Sequence, residues 1–282
     1  MKFLLFSLLL ISTLNVCGQF FSFQQEWFEN ESFFKDSTIR KNNIAAIHIW
    51  LSEKDDGQAF KTERDFLHYE FNQSGKLSAS YKSVALRKKI DTATFIYSYN
   101  KEGKLSKRSE RQGLFHFNYY YFYIGDMLFK EVKINAINSA IDTTYLHYFE
   151  YDSTNNVKRI TTLNALKKPF LYLTKEFDKK DHLIKETKSY RRNQGYNETN
   201  YSYEDGQLIK VKKSYGSNSQ HEIIISRDKE KLDLISFFQD EKLIKKYAFT
   251  YHLNGLPKAI IERNLVEKKI TIYRLEYLLY SN

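Results

Sequence analysis

The chain has 282 residues, with 44 Lys+Arg against 34 Asp+Glu for a formal charge of +10, a single Cys, and 22 each of Tyr and Phe. One cysteine excludes a disulfide framework, and no uncharged run approaches the ~20 residues that a membrane-spanning helix needs. The charge excess favours an anionic partner, an acidic glycan or another cell-envelope component in preference to nucleic acid.

Taken in chain order, the first element is a targeting segment. Lys2 precedes the apolar run Phe3 to Ile11, and Ser12 to Asn15 then turn polar, which is the layout of a secretory signal. Val16 and Gly18 suit an A-x-A-like site, so residues 1–18 are expected to be removed and Gln19 to become the mature N-terminus. A lipid anchor at Cys17 is the rival reading, disfavoured by Val16 and Asn15 where a lipobox carries small residues. The mature protein is therefore expected in the periplasm or outside the cell. Residues 19–41, with Trp27, Phe28, Phe33 and Phe34 out of strict alternation, read as a short helix or a cap over the first strand.

From residue 42 to 282 a repeat takes over. Tyr69-Glu70-Phe71-Asn72 leads through Gly75 to Leu77, and Tyr97-Ser98-Tyr99-Asn100 leads through Gly103 to Leu105. Shorter-turn copies place Tyr121, Tyr123 and Gly125, then Tyr201, Tyr203, Gly206 and Leu208, and a last copy holds Tyr251 and Gly255. The unit is about 26 residues. Each unit reads as an alternating aromatic strand, a turn whose Asn or Asp bonds its own backbone and whose Gly supplies positive φ, and a second strand opened by Leu. Phe115, Phe117, Tyr119, Tyr121 and Tyr123 share one parity, which is strand periodicity. The fold expected is all-β, an antiparallel meander of sixteen to twenty strands in repeated hairpins, forming a curved or coiled sheet. Lysines such as Lys76, Lys104, Lys210 and Lys245 are expected to return at one strand position and form a basic ladder.

The motif Tyr-x-Tyr-(Asn/Asp)-x-x-Gly-x-Leu, as at Tyr97, Tyr99, Asn100, Gly103 and Leu105, resembles the YD repeat of the Rhs and teneurin type over roughly residues 66–256. That resemblance implies a coiled sheet of the kind that encloses a passenger in large members. This chain is too short for a full shell, so the delivery function is not implied. The early Gln19 and the many Lys, Asn, Tyr and Phe also resemble small secreted proteins of Bacteroidetes-type bacteria.

Signals for chemistry are sparse. The histidines, at 48, 68, 116, 147, 182, 221 and 252, show no metal-ligand spacing, and neither a phosphate-binding loop nor a nucleophile elbow occurs. No cofactor and no enzyme activity are expected. A membrane barrel would also show alternating strands, but Ser106 to Arg111 and Lys210, Lys212 and Lys213 put charge on both parities. The function expected is a non-catalytic exported binding or scaffold protein, with a carrier that shelters an apolar ligand on the concave sheet face as the alternative.

Overall fold

The computed structural model describes residues 36–281 apart from 87–88, 136–141, 192–195, 216–218 and 229–230. The signal segment and most of the cap segment thus lie outside the described residues. One short helix, α1 (Asp36–Lys41), precedes the strands β1 (Ile44–Asp55), β2 (Arg64–Phe71), β3 (Leu77–Leu86), β4 (Lys89–Tyr99), β5 (Leu105–Gln112) and β6 (Phe115–Ile124). They continue as β7 (Met127–Asn135), β8 (Asp142–Tyr151), β9 (Val157–Asn164), β10 (Pro169–Phe177), β11 (Leu183–Tyr190) and β12 (Tyr196–Glu204). The last six are β13 (Gln207–Tyr215), β14 (Ser219–Asp228), β15 (Lys231–Gln239), β16 (Lys242–Tyr251), β17 (Pro257–Asn264) and β18 (Lys269–Leu279).

The all-β antiparallel meander is present, and it closes. Every strand pairs with its chain neighbours, and β1 pairs with β18 as well as with β2, so the 18-stranded sheet is a ring. This corrects the expected curved or coiled sheet. It also overturns the likeness to YD-repeat coils: a coiled sheet keeps an edge to which another repeat can add, whereas here both terminal strands are already paired with each other.

The repeat motif has a local explanation that needs no family. Asn72 Oδ1 accepts hydrogen bonds from the backbone N–H of Ser74 and Lys76, and Asn100 Oδ1 accepts from Glu102 and Lys104. Asp152 and Asp178 repeat the arrangement. Gly75 and Gly103 carry the positive φ of these turns, at 84° and 77°. In the degenerate copies Asn155 and Asp181 take the same left-handed position, the two residue types that tolerate it best after glycine.

Beyond each turn the pairing register slips by one residue, at Glu70/Phe71, Ser98/Tyr99, Glu150/Tyr151, Ser202/Tyr203 and Thr250/Tyr251 among others. A bulge bends its strand and raises the local twist. Recurring at the same end of successive hairpins, bulges give the sheet the cumulative curvature that brings β18 back to β1. The second tyrosine of the motif then links one hairpin to the previous one. Tyr99 Oη donates to the Leu77 carbonyl at 2.7 Å, Tyr151 to Leu128 at 2.8 Å, Tyr251 to Leu232 at 2.7 Å and Tyr277 to Pro257 at 2.6 Å. Tyr280 does the same across the seam to the Phe71 carbonyl.

Most of the buried side chains lie on the parity that faces the inside of the ring. Near the repeat turns this interior is apolar: Ile47, Ile49, Leu67, Tyr69, Leu208, Ile225, Phe249 and Ile260 belong to one cluster, together with Ile39 of α1. The helix therefore sits against the turn end, where its Asp36 carbonyl approaches Gly75.

Candidate functional site

Above the apolar layer the inward parity changes character. In β5, Leu105 near the turn is followed inward by Arg108 and Glu110, which face Tyr119 and Phe117 of β6. In β7 the inward residues are Glu131, Lys133 and Asn135, and in β8 Tyr145 and His147. Around the rest of the ring Lys175, Glu186, Lys188, Lys213, Lys245, Glu262, Lys269, Glu53, Arg64 and Lys82 occupy the same parity. The result is an ionisable belt halfway up the interior, in which cations outnumber carboxylates.

The belt is ordered by rings and short polar contacts. The Arg108 guanidinium lies 4.0 Å from the centre of the Tyr119 ring, and Tyr119 Oη donates to Glu110 at 2.7 Å. Lys133 Nζ sits 3.9 Å from the centre of the Phe117 ring and 5.3 Å from that of Tyr145. Thr162 Oγ1 lies 2.9 Å from His147 Nδ1. Farther round, Lys175 is 3.5 Å from Glu186, which also accepts from Tyr201 Oη. Lys245 pairs with Glu262 at 2.8 Å, and Tyr273 donates to the same carboxylate at 2.8 Å. Lys269 pairs with Glu53 at 2.6 Å.

Two cations are electrostatically uncomfortable. Burial pushes Lys133 below the ordinary lysine range, with Arg108 adding to the effect and Glu110 and Glu131 working against it. Lys188 is lowered by burial alone. His147 is pushed down to about 4 by burial and then by Lys133, so it is neutral at physiological pH. Asn135 Oδ1 is buried beside Lys133 on the same strand with no hydrogen-bond partner. A group that could relieve all of these is an anion carrying a hydroxyl or other donor.

The repeat residues singled out from sequence serve the wall and not the belt. Tyr69, Tyr97 and Tyr201 are inward and buried, while Tyr99, Tyr123, Tyr203 and Tyr251 donate to the previous hairpin. Phe71, Leu77, Leu105 and Leu208 pack in or against the apolar layer, Tyr121 faces Glu131 across β6 and β7, and Gly125, Gly206 and Gly255 hold positive φ in turns. The expected lysine ladder does not form. Lys76 donates to the Gly103 carbonyl and Lys104 to that of Gly125, Lys210 points outward to Glu222 at 2.6 Å, and Lys245 points inward. Among the described residues no cluster of His, Cys, Asp and Glu could hold a metal, although His48 and His68 face each other across β1 and β2 with ring centres 4.0 Å apart.

No family model and no curated protein matches the chain. Solved structures that resemble it include a porin-like protein from Bacteroides uniformis, 10% identical over 83% of this chain and 97% of that one, with a TM-score of 0.45. Another is a porin-like protein from Bacteroides vulgatus, also 10% identical, covering 83% and 98%, with a TM-score of 0.32. Similarity this low says nothing of function. The closed ring itself corrects the functional expectations. A scaffold built on an open repeat sheet, and a carrier with a concave apolar face, both need a free sheet surface that this barrel folds inward and lines with charge.

Proposed function

We propose that this exported barrel receives an anionic molecule of the cell envelope, such as an acidic glycan or a phosphorylated compound, in the ionisable belt of its interior, and that it does so without catalysis. The observation that carries the reading is the inward excess of cations over carboxylates, with Lys133 and Lys188 held below the ordinary lysine range by burial. A bound anion would favour the charged form of both lysines, and a hydroxyl on it would give Asn135 Oδ1 a donor. The outer wall supports a place beside water, in the periplasm or outside the cell. Lys210, Lys212 and Lys246 project outward from mid-strand, and each would cost roughly 2–4 kcal/mol at a bilayer midplane.

The test is calorimetric titration of the folded protein with inorganic phosphate and with an anionic oligosaccharide, in two buffers of different ionisation enthalpy near pH 9. Binding that raises the lowered pKa of Lys133 and Lys188 takes up protons, so the apparent enthalpy must differ between buffers. Lys133→Met with Lys188→Met should abolish that difference. Absence of heat with both ligands, or heat independent of the buffer and of the two lysines, would sink the reading.

A further inference from the structure

The outer wall is not uniform, and one side of it is built for contact with something anionic and apolar at once. Across β6 to β10 the outward residues form two adjacent cross-strand rows. One runs from Phe122 through Lys130 and Tyr148 to Tyr172 and is open to solvent, and the other, Tyr120 with Val132 and Leu146, is covered by its neighbours, Val132 and Leu146 being buried. Phe122 is 42% exposed, Ile124 62% and Tyr148 38%. Elsewhere the outer wall is laced by balanced pairs, Lys185 with Glu198 at 2.8 Å and Lys210 with Glu222 at 2.6 Å.

What distinguishes the patch is that its cations rest on rings with no carboxylate at ion-pair distance among the described residues, whereas Arg274, over Trp50 on the outer wall of β1 and β18, is held by Glu63. Lys107 Nζ lies 5.7 Å from the centre of the Tyr120 ring, Lys130 5.2 Å from Phe122, and the Arg159 guanidinium 4.5 Å from Tyr172. Each stem lies along an aromatic ring and its charge is at the surface. Among the described residues the carboxylates of this face are Glu150, in register with Arg159, and Glu176, in register with Lys185, against the cations Lys107, Arg111, Lys130 and Arg159. Aromatic rings with snorkelling cations are the side-chain combination that suits the headgroup level of a membrane, and the positive excess selects anionic lipid. A protein partner of ordinary composition would need acidic residues opposite each cation and gains nothing particular from rings beneath them.

We propose that the outer face of β6 to β10 is a docking surface for an anionic lipid membrane, on which the barrel lies on its side without crossing the bilayer. Five strands at about 4.8 Å spacing give a strip ~20 Å wide, enough for a peripheral contact. This inference does not depend on what the interior takes up.

The experiment is co-sedimentation of the full mature protein with vesicles of phosphatidylcholine alone and of phosphatidylcholine with one third phosphatidylglycerol, at low and at physiological ionic strength. Binding is expected only to the anionic vesicles, weakening with salt. Each cation near an anionic surface is worth about fivefold in affinity, so Lys107→Gln with Lys130→Gln should lose roughly twentyfold. Phe122→Ser with Ile124→Ser should release the protein while circular dichroism stays unchanged. Lys210→Gln with Lys246→Gln, on β13 and β16 away from this face, should bind as the parent does. No sedimentation of the parent, equal binding to neutral vesicles, or equal losses from both lysine pairs would each overturn the proposal. A concentration-dependent dimer that Phe122→Ser dissociates, without vesicle binding, would assign the face to a second copy of this chain instead.

Discussion

Replacing Gly75 by alanine separates two costs that the repeat turns otherwise combine. Gly75, Gly103 and Gly255 occupy the same turn position with φ of 84°, 77° and 84°. An L-residue there is expected to cost ~1 kcal/mol or somewhat more for the left-handed backbone alone. At Gly255 a new Cβ meets Lys231 Cε at 3.6 Å, an ordinary contact, so Gly255→Ala should lose little beyond that figure. At Gly75 the Cβ would stand 2.3 Å from the Asp36 carbonyl oxygen and 3.1 Å from the Arg40 backbone nitrogen, so α1 has to move. The helix carries Ile39, which is fully buried in the apolar layer. Dislodging a side chain of that size is worth roughly 1.5–3 kcal/mol. Gly75→Ala is therefore expected to destabilise by about 3–4 kcal/mol, against ~1 for Gly255→Ala. Urea unfolding followed by circular dichroism reads both as midpoint shifts, and combining Gly75→Ala with Ile39→Ala should cost less than the sum of the two because both act on one contact. Equal midpoints for the Gly75 and Gly255 variants, or strict additivity with Ile39→Ala, would refute the placement of α1 on that turn.

Two further outcomes follow from the belt. His147 titrates at about 4 in the folded barrel against 6.5 in the unfolded chain, so the unfolded state binds its proton first. Its contribution is complete above pH 6.5, is lost as the pH falls toward 4, and amounts to ~3 kcal/mol; unfolding free energies of the parent and of His147→Gln should converge over that window, and parallel curves would contradict it. Glu262 and Glu222 each hold a lysine at hydrogen-bond distance, but the first pair is shielded inside the ring and the second stands on the outer wall. Glu262→Ala strands Lys245 and removes the acceptor of Tyr273, so a loss of roughly 2–3 kcal/mol is expected, whereas Glu222→Ala should change stability by less than about 0.5 kcal/mol; similar losses from both would mean the belt is open to water.

The hairpins were legible because their signals are local. Asn72 and Gly75 fix one turn through bonds that span five residues, and Asp152 with Asn155 could have been read as the same turn from the tolerance of Asn for positive φ. Closure was not legible, because it is the sum of many small bends, none of which says where the last strand will arrive. The belt was missed for a related reason. A bulge adds one residue, so parity counted along the sequence is lost just beyond the turn: Leu208 and Val211 both face inward although an odd number separates them. Lys210 stands in β13 after a repeat turn and Lys245 in β16 before one, and the two, set together by sequence position, end on opposite faces of the wall. No count of lysines could show which would be enclosed.

The pairing of β1 with β18 leaves a ring with a seam. The Tyr280 backbone N–H donates to the Asn43 carbonyl at 3.0 Å, so the two ends of the barrel meet edge to edge. Until the last strand arrives, β1 lacks one of its two partners and the growing sheet has two open edges able to pair with other chains. A chain threaded through a membrane from its N-terminus would therefore pass most of its length before the barrel could shut. Once shut, nothing in the hydrogen-bond pattern marks a beginning. A short linker across the seam, with new termini cut at Asp240 and Glu241, would keep every strand beside its present neighbours.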